Sequence, residues 1–444
     1  MERAVVIGGG FAGVAAACRL AGDGHRPILL ERAPRLGGRA GSYVDRETGE
    51  TIDYGHHVLM HCCTASRGFL ARIGASDAVR FQLGLRIPIL CDGRTTLLRS
   101  SLLPGPAHLA PSLLAYRPIP MRDRLRVLRA GAALLLPCQG DEASFRKWLG
   151  RHGQSEVSIE RLWDPISIAT LNAPADRVSV PAARQVFRDG FFVPGGANIG
   201  LFARPLSEIF DQARAYLERH EAVSRTRADV AHILLSENTV RGVRLADGEL
   251  IECDAVVAAV PPDALRGMLE DGGDLTKNVD RAALLEPSPI VDVHVWFDRP
   301  VMEEPFVIAV DAPIQTVFDL GRLHDSGRPS GHVVVSQSAA VDWMRLSSEE
   351  IGERVVEALR ELLPSARGAD CLRRRVIKHP RATFVPSPGS DALRPKAKTP
   401  VEGLFLAGDW TATGWPSTID GAIRSGVAAA AHVEVSWENE APET

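Results

Sequence analysis

Hydrophobic positions near the start of the chain follow a strand, helix, strand order. Residues 4–7, AVVI, form a short, uncharged run rich in β-branched side chains, which is typical of a buried parallel strand. Small and apolar residues continue from Gly13 to Gly22 and predict a helix, and residues 28–30 predict a second strand. The pattern therefore predicts a βαβ unit, the building block of a parallel sheet with helices on its faces.

Three glycines lie in the turn between the first predicted strand and the helix. Gly8, Gly10 and Gly13 fit the spacing G-x-G-x-x-G, and Glu31 follows Gly8 by 23 positions, close to the roughly 20 expected for an acid that binds ribose. The first glycine permits the tight turn, the second lets the backbone approach a pyrophosphate, and the third allows close helix–strand packing. We predict a dinucleotide site at this helix N-terminus; the alternative is a purely structural glycine turn.

Two later segments have patterns that fit the same domain. Residues 228–260 alternate apolar and polar positions around two turn signals, at 237–238 and 247–248, and end in another apolar run. Residues 403–433 predict a strand, a glycine-rich turn and a helix that begins near residues 417–419. The stretches between these segments are richer in proline, arginine and long apolar runs, and they fit a second domain.

These patterns predict an α/β fold made of a Rossmann-like nucleotide-binding domain and a discontinuous α+β substrate domain. The predicted nucleotide-binding domain comprises residues 1–74, 211–279 and 391–433. The predicted substrate domain comprises residues 75–210 and 280–390. Residues 434–444 are predicted to form a frayed tail.

Composition and charge exclude several other classes of protein. The chain has 444 residues, of which 45% are hydrophobic, and a formal net charge of −4, so no general affinity for nucleic acid is expected. Seven cysteines, including the adjacent Cys62 and Cys63, form no C-x-x-C unit, which fits a reducing compartment better than a zinc ribbon or a disulfide framework. The sequence has no secretory signal pattern and no run of about 18 apolar residues, so we expect a cytoplasmic protein, soluble or peripheral to a membrane.

Several further motifs resemble one flavoprotein superfamily. Besides the glycine turn, these motifs are LGGR at 36–39, DYG at 53–55, DVAHIL at 229–234 and LAGDW at 406–410. In this order they resemble the FAD-dependent amine oxidase and phytoene desaturase superfamily. The resemblance implies an FAD-binding domain of the amine oxidase type, a bound FAD and an oxidoreductase activity.

Three stretches, 162–174, 291–301 and 407–426, are similar to a narrower group of squalene-associated, desaturase-like proteins. This resemblance implies reductive dehydroxylation of hydroxysqualene, an isoprenoid lipid, to squalene, with reduced FAD, in bacterial hopanoid precursor synthesis. The electron donor stays unidentified, because no second strand-linked G-x-G-x-x-G indicates a nicotinamide nucleotide domain. The alternatives are an oxidative isoprenoid desaturase of the carotenoid type and a flavin-free lipid or prenyl carrier on the same fold.

The resemblance also implies a role for each motif at FAD. Backbone groups at the glycine turn would contact the pyrophosphate, and Glu31 would bind the ribose. Arg39 would donate to a phosphate or to the flavin carbonyls, and Asp409 would accept hydrogen bonds from the ribityl hydroxyls. The alternatives are a surface ion pair for Arg39 and a helix cap for Asp409. The cofactor-contacting residues implied in this way are Gly8, Gly10, Phe11, Ala12, Gly13, Glu31, Arg32, Gly38, Arg39, Gly55, His56, Val230, Gly408, Asp409, Thr418 and Ile419.

Dehydroxylation of an allylic alcohol requires an acid and a stabilised cation. The segment DYGHH offers His57 as a proton donor, if its pKa stays near neutral, with Asp53 beside it. Trp415 offers an aromatic face for the cation. The alternatives are that His57 only hydrogen-bonds the backbone, that Asp53 fixes the loop, and that Trp415 packs against the flavin or the substrate chain. His57 and His61 have the spacing of helical metal ligands, but no acidic third ligand accompanies them, so no metal is expected.

A basic, leucine-rich segment, residues 101–136, is a candidate for a membrane interface. Its leucines alternate with five arginines, Arg117, Arg122, Arg124, Arg126 and Arg129. Basic amphipathic segments lie in bilayer interfaces, where this one would admit a C30 hydrocarbon from the inner face of the membrane. The alternative is a set of ordinary helices with a solvated arginine face.

Overall fold

A five-stranded parallel sheet, the nucleotide sheet, organises one half of the molecule in the computed structural model, which describes residues 3–137, 143–269, 273–324 and 328–440. Its strands lie in the order Val223–Thr226, Ile28–Glu31, Ala4–Ile7, Ala255–Ala258 and Leu404–Leu406. The two central strands are fully buried, as their apolar sequences predict. The predicted α/β fold class is confirmed.

Four helices cover one face of the nucleotide sheet. They are Phe11–Gly22, Thr64–Ile73, Leu206–Arg219 and Ile419–Glu440. The first and last of them pack backbone to backbone, because a Cβ built on Gly426 would lie only 2.0 Å from the carbonyl oxygen of Ala12. The two ends of the chain therefore meet on this face.

The other face of the nucleotide sheet is covered by a three-stranded antiparallel sheet and two helices. The strands are Val230–Ser236, Thr239–Leu245 and Leu250–Glu252, and the helices are Pro262–Met268 and Gly273–Ala282. Glu237 and Asn238, at the predicted first turn, both have positive φ angles, 51° and 62°. Positive φ at both central residues is the requirement of a tight hairpin turn.

A seven-stranded sheet, the large sheet, organises the other half of the molecule. Its strands lie in the order Cys371–Phe384, Pro287–Phe297, His332–Ser338, Thr316–Asp319, Phe306–Ala309, Arg86–Cys91 and Arg94–Arg99. Neighbouring strands are antiparallel except Phe306–Ala309 and Arg86–Cys91, which are parallel. One face packs against the helix Ser348–Leu362, which begins with a capping box formed by Ser347 and Glu350.

A helical layer covers part of the opposite face of the large sheet. Its helical segments are Ala110–Leu114, Met121–Ala133, Phe145–Arg151, Glu156–Ser158, Ile159–Trp163, Asp164–Leu171, Val180–Gln185 and Val186–Phe191. Phe318 and Val334 of the large sheet belong to the same apolar cluster as this layer. The layer and the large sheet thus share one core.

Short elements connect the two halves. Two small antiparallel sheets are formed by Ser42–Val44 with Thr51–Asp53, and by Val58–Met60, Ile199–Phe202 and Val79–Phe81. The helix Leu320–Leu323 and the 3-10 turns Gly38–Ala40, Ser76–Ala78, Gly105–Leu109, Asp342–Arg345, Pro364–Ala366 and Ser390–Leu393 complete the described elements.

Two predicted domain boundaries fall inside helices. Position 211 lies within Leu206–Arg219, and position 280 lies within Gly273–Ala282. The tail predicted from residue 434 also begins inside a helix, and Trp437 is buried there with its ring centroid 4.8 Å from that of His25. Residues 434–440 are therefore helical rather than frayed, and residues 441–444 lie outside the described part of the chain. Among the described residues, no helix combines the length and apolar composition needed to cross a bilayer.

Candidate active site

The glycine turn is shaped by two close backbone approaches. Gly8 has a φ of 108°, and a Cβ there would lie 2.4 Å from the carbonyl oxygen of Ala259. A Cβ on Gly13 would lie 1.9 Å from the carbonyl oxygen of Gly8. Both positions therefore require glycine for the fold itself, as the predicted tight turn and close helix packing demand.

Gly10 is different, because the protein fold does not require its missing side chain. Its φ of −77° suits any residue, and a Cβ there would find its nearest neighbour, the Cα of Gly38, 4.0 Å away. This open space adjoins the start of the helix Phe11–Gly22, whose first N–H groups have no intrahelical acceptor. Space for a ligand beside free donors at a helix N-terminus fits a pyrophosphate group.

Glu31 ends the second strand beside this turn and is only 9% exposed. One carboxylate oxygen accepts a hydrogen bond from the N–H of Gly9 at 2.6 Å, and the other accepts one from the N–H of Ala33 at 2.7 Å. A carboxylate has about four acceptor sites, so these bonds fix its position and leave capacity for ribose hydroxyls.

The predicted contact of Val230 with adenosine depends on the segment that begins at Ala228. The N–H of Ala228 donates to the carbonyl of Glu31 at 3.0 Å, which brings buried Val230 close to the end of the second strand. Arg32 is exposed. The roles proposed for Val230 and Arg32 stay predictions.

Arg39 and Asp409 form an ion pair between two motifs that lie far apart in the sequence. Arg39 also donates to the carbonyl of Ala382 at 2.9 Å, and Ser417 donates its hydroxyl hydrogen to the second oxygen of Asp409. Burial opposes ionisation of Asp409, but Arg39, Ser417 and Arg394 outweigh it and hold its pKa below the ordinary value. Asp409 is therefore charged and is neither a helix cap nor a surface group, and Arg39 pairs with it rather than with a surface acid.

Arg394 is a site residue that no sequence pattern singles out. Its buried guanidinium donates to the carbonyl of Asp409 at 3.1 Å, to the hydroxyl of Thr413 at 3.0 Å and to the carbonyl of Trp415 at 2.8 Å. These bonds hold the turn at 409–415 in one conformation. No periodicity or spacing distinguishes this arginine from the others in the chain, so only its structural partners identify it.

The last helix begins beside this turn. Gly408, with a φ of 138°, donates its N–H to the hydroxyl of Ser425 at 2.7 Å, and the hydroxyl of Thr418 accepts the N–H of Gly421 at 3.1 Å. The N–H groups of Thr418 and Ile419 lie at the helix start, where they keep their predicted role toward the flavin. This geometry fits a second donor set for the cofactor.

Trp415 has one aromatic face already occupied by a cation. The guanidinium carbon of Arg424 lies 4.2 Å from the centroid of its ring. An aromatic ring that already stacks on one permanent cation has less capacity to stabilise a second. The structure therefore favours the packing alternative for Trp415 over the predicted stabilisation of a substrate cation.

Asp53 serves the fold at this site. One of its carboxylate oxygens accepts the hydroxyl hydrogen of Ser42 at 2.5 Å and the N–H of Leu206 at 3.1 Å, so it joins a short strand to the start of a helix. Burial raises the pKa of Asp53 to about 6, although both hydrogen bonds act in the opposite direction. These contacts match the alternative in which Asp53 fixes the loop.

His57 is neutral in this site. Burial lowers its pKa to about 4, and its Nδ1 lies 2.9 Å from the carbonyl oxygen of Gly55. Since a neutral ring must donate from Nδ1 to that carbonyl, its Nε2 carries a lone pair. The condition set for His57 as a proton donor, a pKa near neutral, is not met.

A cavity of about 290 Å³ lies beside the DYGHH segment. Its lining includes His56, His294 and His332, and buried Nε2 of His56 has no hydrogen-bond partner in the described structure. The Nδ1 of His294 lies 3.0 Å from Nε2 of His332, and the Nε2 of His294 lies 3.1 Å from the carbonyl of Asp53. Burial lowers the pKa of each of these three histidines, so the cavity wall is uncharged there.

Asp292 is a second residue that the sequence did not single out. It is 3% exposed on the strand Pro287–Phe297, and its carboxyl group lies against Gly55. Burial raises the pKa of Asp292 to about 7, with hydrogen bonding to Ser336 acting in the opposite direction. The one available signal was an acid flanked by valines in an apolar strand.

The chain belongs to the family of flavin containing amine oxidoreductases, whose family model matches residues 11–434. It is an oxidoreductase of this family, and its cofactor is FAD. Membership confirms the predicted superfamily and cofactor, and it gives no support to the flavin-free carrier alternative.

Named relatives are carotenoid desaturases. The zeta-carotene desaturase of Synechocystis sp. is 26% identical over 472 residues, covering 96% of each chain. The 15-cis-phytoene desaturase of Narcissus pseudonarcissus is 25% identical over 460 residues, covering 98% of this chain and 80% of the relative.

Solved structures share the fold at lower identity. An oxidoreductase from Methanosarcina mazei has a TM-score of 0.73 at 18% identity, covering 97% of this chain and 100% of the other. A triple mutant of putrescine oxidase has a TM-score of 0.73 at 17% identity, covering 98% and 99%. The chain therefore shares the fold of these structures over almost its whole length.

Proposed function

We propose that the protein reduces hydroxysqualene, a C30 allylic alcohol, to squalene with loss of water. The observations that support this are the neutral state of the buried histidines around Gly55 and a carboxyl group beside them that burial keeps partly protonated near neutral pH. Burial lowers the pKa of His56 well below its ordinary value, lowers those of His57 and His294 to about 4, and raises that of Asp292 to about 7. A site of this kind suits a hydrocarbon with a single hydroxyl group and retains a protonated acid near neutral pH.

Different residues of the chain would have different roles in this reaction. Reduced FAD, held by the glycine turn, Arg39 and Asp409, would supply the hydride that replaces the hydroxyl group. The cavity beside the DYGHH segment, whose lining includes Leu320 and Val334, would admit the hydrocarbon and exclude water from the reacting carbon. A buried acid would protonate the departing oxygen, which otherwise leaves as unstable hydroxide.

The second candidate is oxidative desaturation of an isoprenoid, and the carotenoid desaturases among the relatives favour it. The two reactions place different demands on the site. Desaturation removes a hydride and a proton, so it requires a group that accepts a proton, whereas dehydroxylation requires a group that donates one. The raised pKa of buried Asp292 supports the donor.

An anaerobic experiment distinguishes the two candidates. The purified holoenzyme is photoreduced, hydroxysqualene is added, and the flavin absorbance and extracted lipids are followed together. Dehydroxylation predicts that the flavin is reoxidised as squalene forms, and that the reaction in D₂O places deuterium in squalene, because the hydrogen on reduced flavin nitrogen exchanges with solvent. Reduced flavin that persists with hydroxysqualene, while oxidised enzyme is reduced by phytoene, would instead establish the desaturase.

We further propose that the segment 101–136 docks on an anionic bilayer, from which an isoprenoid substrate would enter. Leu102 is fully exposed, and Met121 and Leu125 expose 58% and 59% of their surface. Arg122 is also exposed beside them. Exposed apolar side chains next to arginines fit the interface between acyl chains and anionic headgroups.

The docking proposal is tested by flotation with vesicles that contain phosphatidylglycerol. We expect Leu102→Glu with Leu125→Glu to reduce lipid-bound protein at least fivefold, and Leu250→Glu, an exposed leucine on the three-stranded sheet, to leave it unchanged. Arg124 is unsuitable for substitution, because it donates to the carbonyls of Ile119 and Leu114 and so supports the fold. Equal flotation of all variants, or none by the unaltered protein, would exclude docking through this segment.

A further inference from the structure

Asp292 lies on the face of the large sheet that looks toward the DYGHH segment. Along the strand Pro287–Phe297, Val291 and Val293 pack into the core under the helix on the other face. Because side chains alternate along a strand, Asp292 and His294 point the opposite way. The carboxyl group is therefore directed away from the structural core of the large sheet.

Gly55 brings the backbone of the DYGHH segment against this carboxyl group. A Cβ on Gly55 would lie 2.3 Å from Oδ2 and 2.9 Å from Oδ1 of Asp292, so only glycine permits the approach. The preceding residue, Tyr54, donates its N–H to the carbonyl of Gly41 at 2.9 Å. Gly41 directly follows the turn Gly38–Ala40, which carries Arg39. Asp292 is thus one short segment away from the cofactor cradle.

One oxygen of Asp292 lacks a partner. Among the described residues, none hydrogen-bonds Oδ1, although this atom is buried. Ser336 stands opposite Asp292 on the neighbouring strand and is its hydrogen-bonding neighbour. A buried oxygen without a partner costs stability, and its retention is explained when a ligand hydroxyl completes the bond.

The nearby histidines are poorer proton donors than this carboxyl group. Burial keeps His56 and His57 neutral at physiological pH. A neutral imidazole that gave up its proton would become an imidazolate anion, whereas a carboxylic acid becomes an ordinary carboxylate. The carboxyl group of Asp292 is therefore a better proton donor than either histidine of the pair, whereas the other buried carboxyl nearby, Asp53, is bonded to Ser42 and Leu206.

We propose, resting on the dehydroxylation proposed above, that Asp292 is the catalytic acid that protonates the departing hydroxyl group. The proton passes from the carboxyl group to the substrate oxygen, the C–O bond breaks with its electron pair on oxygen, and water leaves. The reduced flavin, which the glycine turn, Arg39 and Asp409 would hold, would supply the hydride that replaces the hydroxyl group on the allylic cation. Asp292 is left as a carboxylate and regains a proton from solvent before the next turnover.

The pH dependence of this step reports on Asp292 and its surroundings. The titratable and charged groups on the elements packed around it are Asp53, Tyr54, His56 and His57 on the facing segment, His294 on its own strand, His332 on one neighbouring strand, and Arg373, Arg375 and His379 on the other. Burial lowers the pKa of each histidine and raises that of Asp53 to about 6. With these rings neutral, the rate should fall as pH rises through the pKa of Asp292. Since hydrogen bonding to Ser336 lowers that pKa, Ser336→Ala should move the fall to higher pH.

The test compares single turnovers of photoreduced holoenzymes with hydroxysqualene between pH 5 and pH 9. We expect Asp292→Asn to bind FAD normally and to lose about 10²- to 10⁴-fold in rate, the usual contribution of a general acid. Asp164→Asn is the matched control, because Asp164 is another carboxyl whose pKa burial raises, but its Oδ1 accepts the N–H of Ala175 in the helical layer. This control should stay within about threefold of the unaltered enzyme.

A second readout does not depend on turnover. The infrared C=O band of a protonated carboxylic acid should be present in the resting holoenzyme near neutral pH, lost in Asp292→Asn and retained to higher pH in Ser336→Ala. If the unaltered enzyme forms squalene and Asp292→Asn does so at a similar rate, the acid role is overturned and the proposed function stands. If the unaltered enzyme forms no squalene, the proposed function is overturned and the acid role with it.

Discussion

Neighbouring glycines in the nucleotide turn have different physical tasks. Gly13 is required by the protein, since its Cβ would lie 1.9 Å from a backbone oxygen. Gly10 has an ordinary φ and open space around its Cα. The distinction separates residues that maintain the fold from residues that leave room for the cofactor.

Gly10→Ala should weaken FAD binding without unfolding the protein. We expect the unfolding free energy of the apoprotein to change by less than about 1 kcal/mol, because the backbone conformation suits alanine. The added methyl group occupies the space beside the helix N-terminus, so the Kd for FAD should rise at least about tenfold, equivalent to 1.4 kcal/mol. Flavin fluorescence titration and denaturant melts measure the two quantities.

Two further variants serve as controls for Gly10→Ala. Gly68→Ala, inside the helix Thr64–Ile73 and with no neighbour within 4 Å of its Cβ, should raise stability by about 0.5–1 kcal/mol and leave FAD affinity unchanged. Gly13→Ala should destabilise the apoprotein by about 3 kcal/mol or more. A Gly10→Ala protein that retains full FAD affinity would contradict the assignment of this space to the pyrophosphate.

The buried carboxyl of Asp292 makes stability depend on pH in a defined direction. Its pKa is about 7 in the folded protein, against an ordinary value of 3.8. Between these values the folded protein holds a proton that the unfolded chain has lost, so a rise in pH opposes folding. Relative to Asp292→Asn, the unaltered protein should lose up to about 1.4 kcal/mol of unfolding free energy per pH unit from pH 4 to pH 7, and no more above pH 7.

Urea melts over this pH range test the sign of the effect. Melts extended below pH 4 provide a control of opposite sign at Asp45, because the N–H of Glu47 and the guanidinium of Arg375 hold its pKa below the ordinary value. Its contribution is present above the ordinary aspartate pKa and is lost as pH falls below it. A flat difference between the unaltered protein and Asp292→Asn would show that Asp292 ionises normally in the fold.

At the scale of elements, the turn at 409–415 depends on a side chain from outside it. Arg394 donates to three acceptors on this turn, and its side chain is 4% exposed. The turn carries Asp409, which in turn pairs with Arg39. One buried arginine therefore positions the group predicted to bind the ribityl chain.

Arg394→Met should remove these bonds while keeping an apolar side chain of similar length. Leaving three acceptors without a donor is expected to cost about 2–5 kcal/mol and to increase hydrogen exchange at residues 409–417. Arg381→Met is the control, because the ion pair of Arg381 with Asp263 is exposed on both sides and contributes less than about 1 kcal/mol. Equal stability and exchange in the two variants would contradict the role of Arg394.

At the scale of the whole molecule, FAD should stabilise parts of the chain that are distant in sequence. The cradle combines the glycine turn, Arg39 and Asp409, which lie on three different segments. A ligand that binds only the folded state at 100 times its Kd adds about 2.7 kcal/mol to the unfolding free energy. Melts with and without FAD should show this increase, and Gly10→Ala at the same FAD concentration should show less of it.

The sequence predicted those parts of the site that depend on local motifs. The tight turn at Gly8 and the second helix start near Thr418 follow from residues a few positions apart, and Glu31 follows from its spacing within one βαβ unit. The fold class follows from apolar runs of strand length. Such features are visible in one dimension because their physical cause is local.

Other parts of the site depend on contacts between distant segments. The carboxyl group of Asp292 lies against the backbone of Gly55, and Arg394 donates hydrogen bonds to carbonyl groups of a loop. Backbone contacts of this kind are not visible in the pattern of side chains along the sequence. The protonation of His57 also follows from burial, which the motif DYGHH does not report. The predicted tail missed Trp437, although this residue continues the helical spacing of buried Ala430 and Val433.

The close contact between Gly426 and Ala12 can form only after the last helix has been synthesised. The last strand of the nucleotide sheet and the helix that follows it are synthesised after the first strand and helix have already left the ribosome. The helix of the first βαβ unit therefore lacks its packing partner until residues 404–440 have been synthesised. Because the FAD cradle includes Asp409, it is accordingly expected to be complete only after these residues have been synthesised.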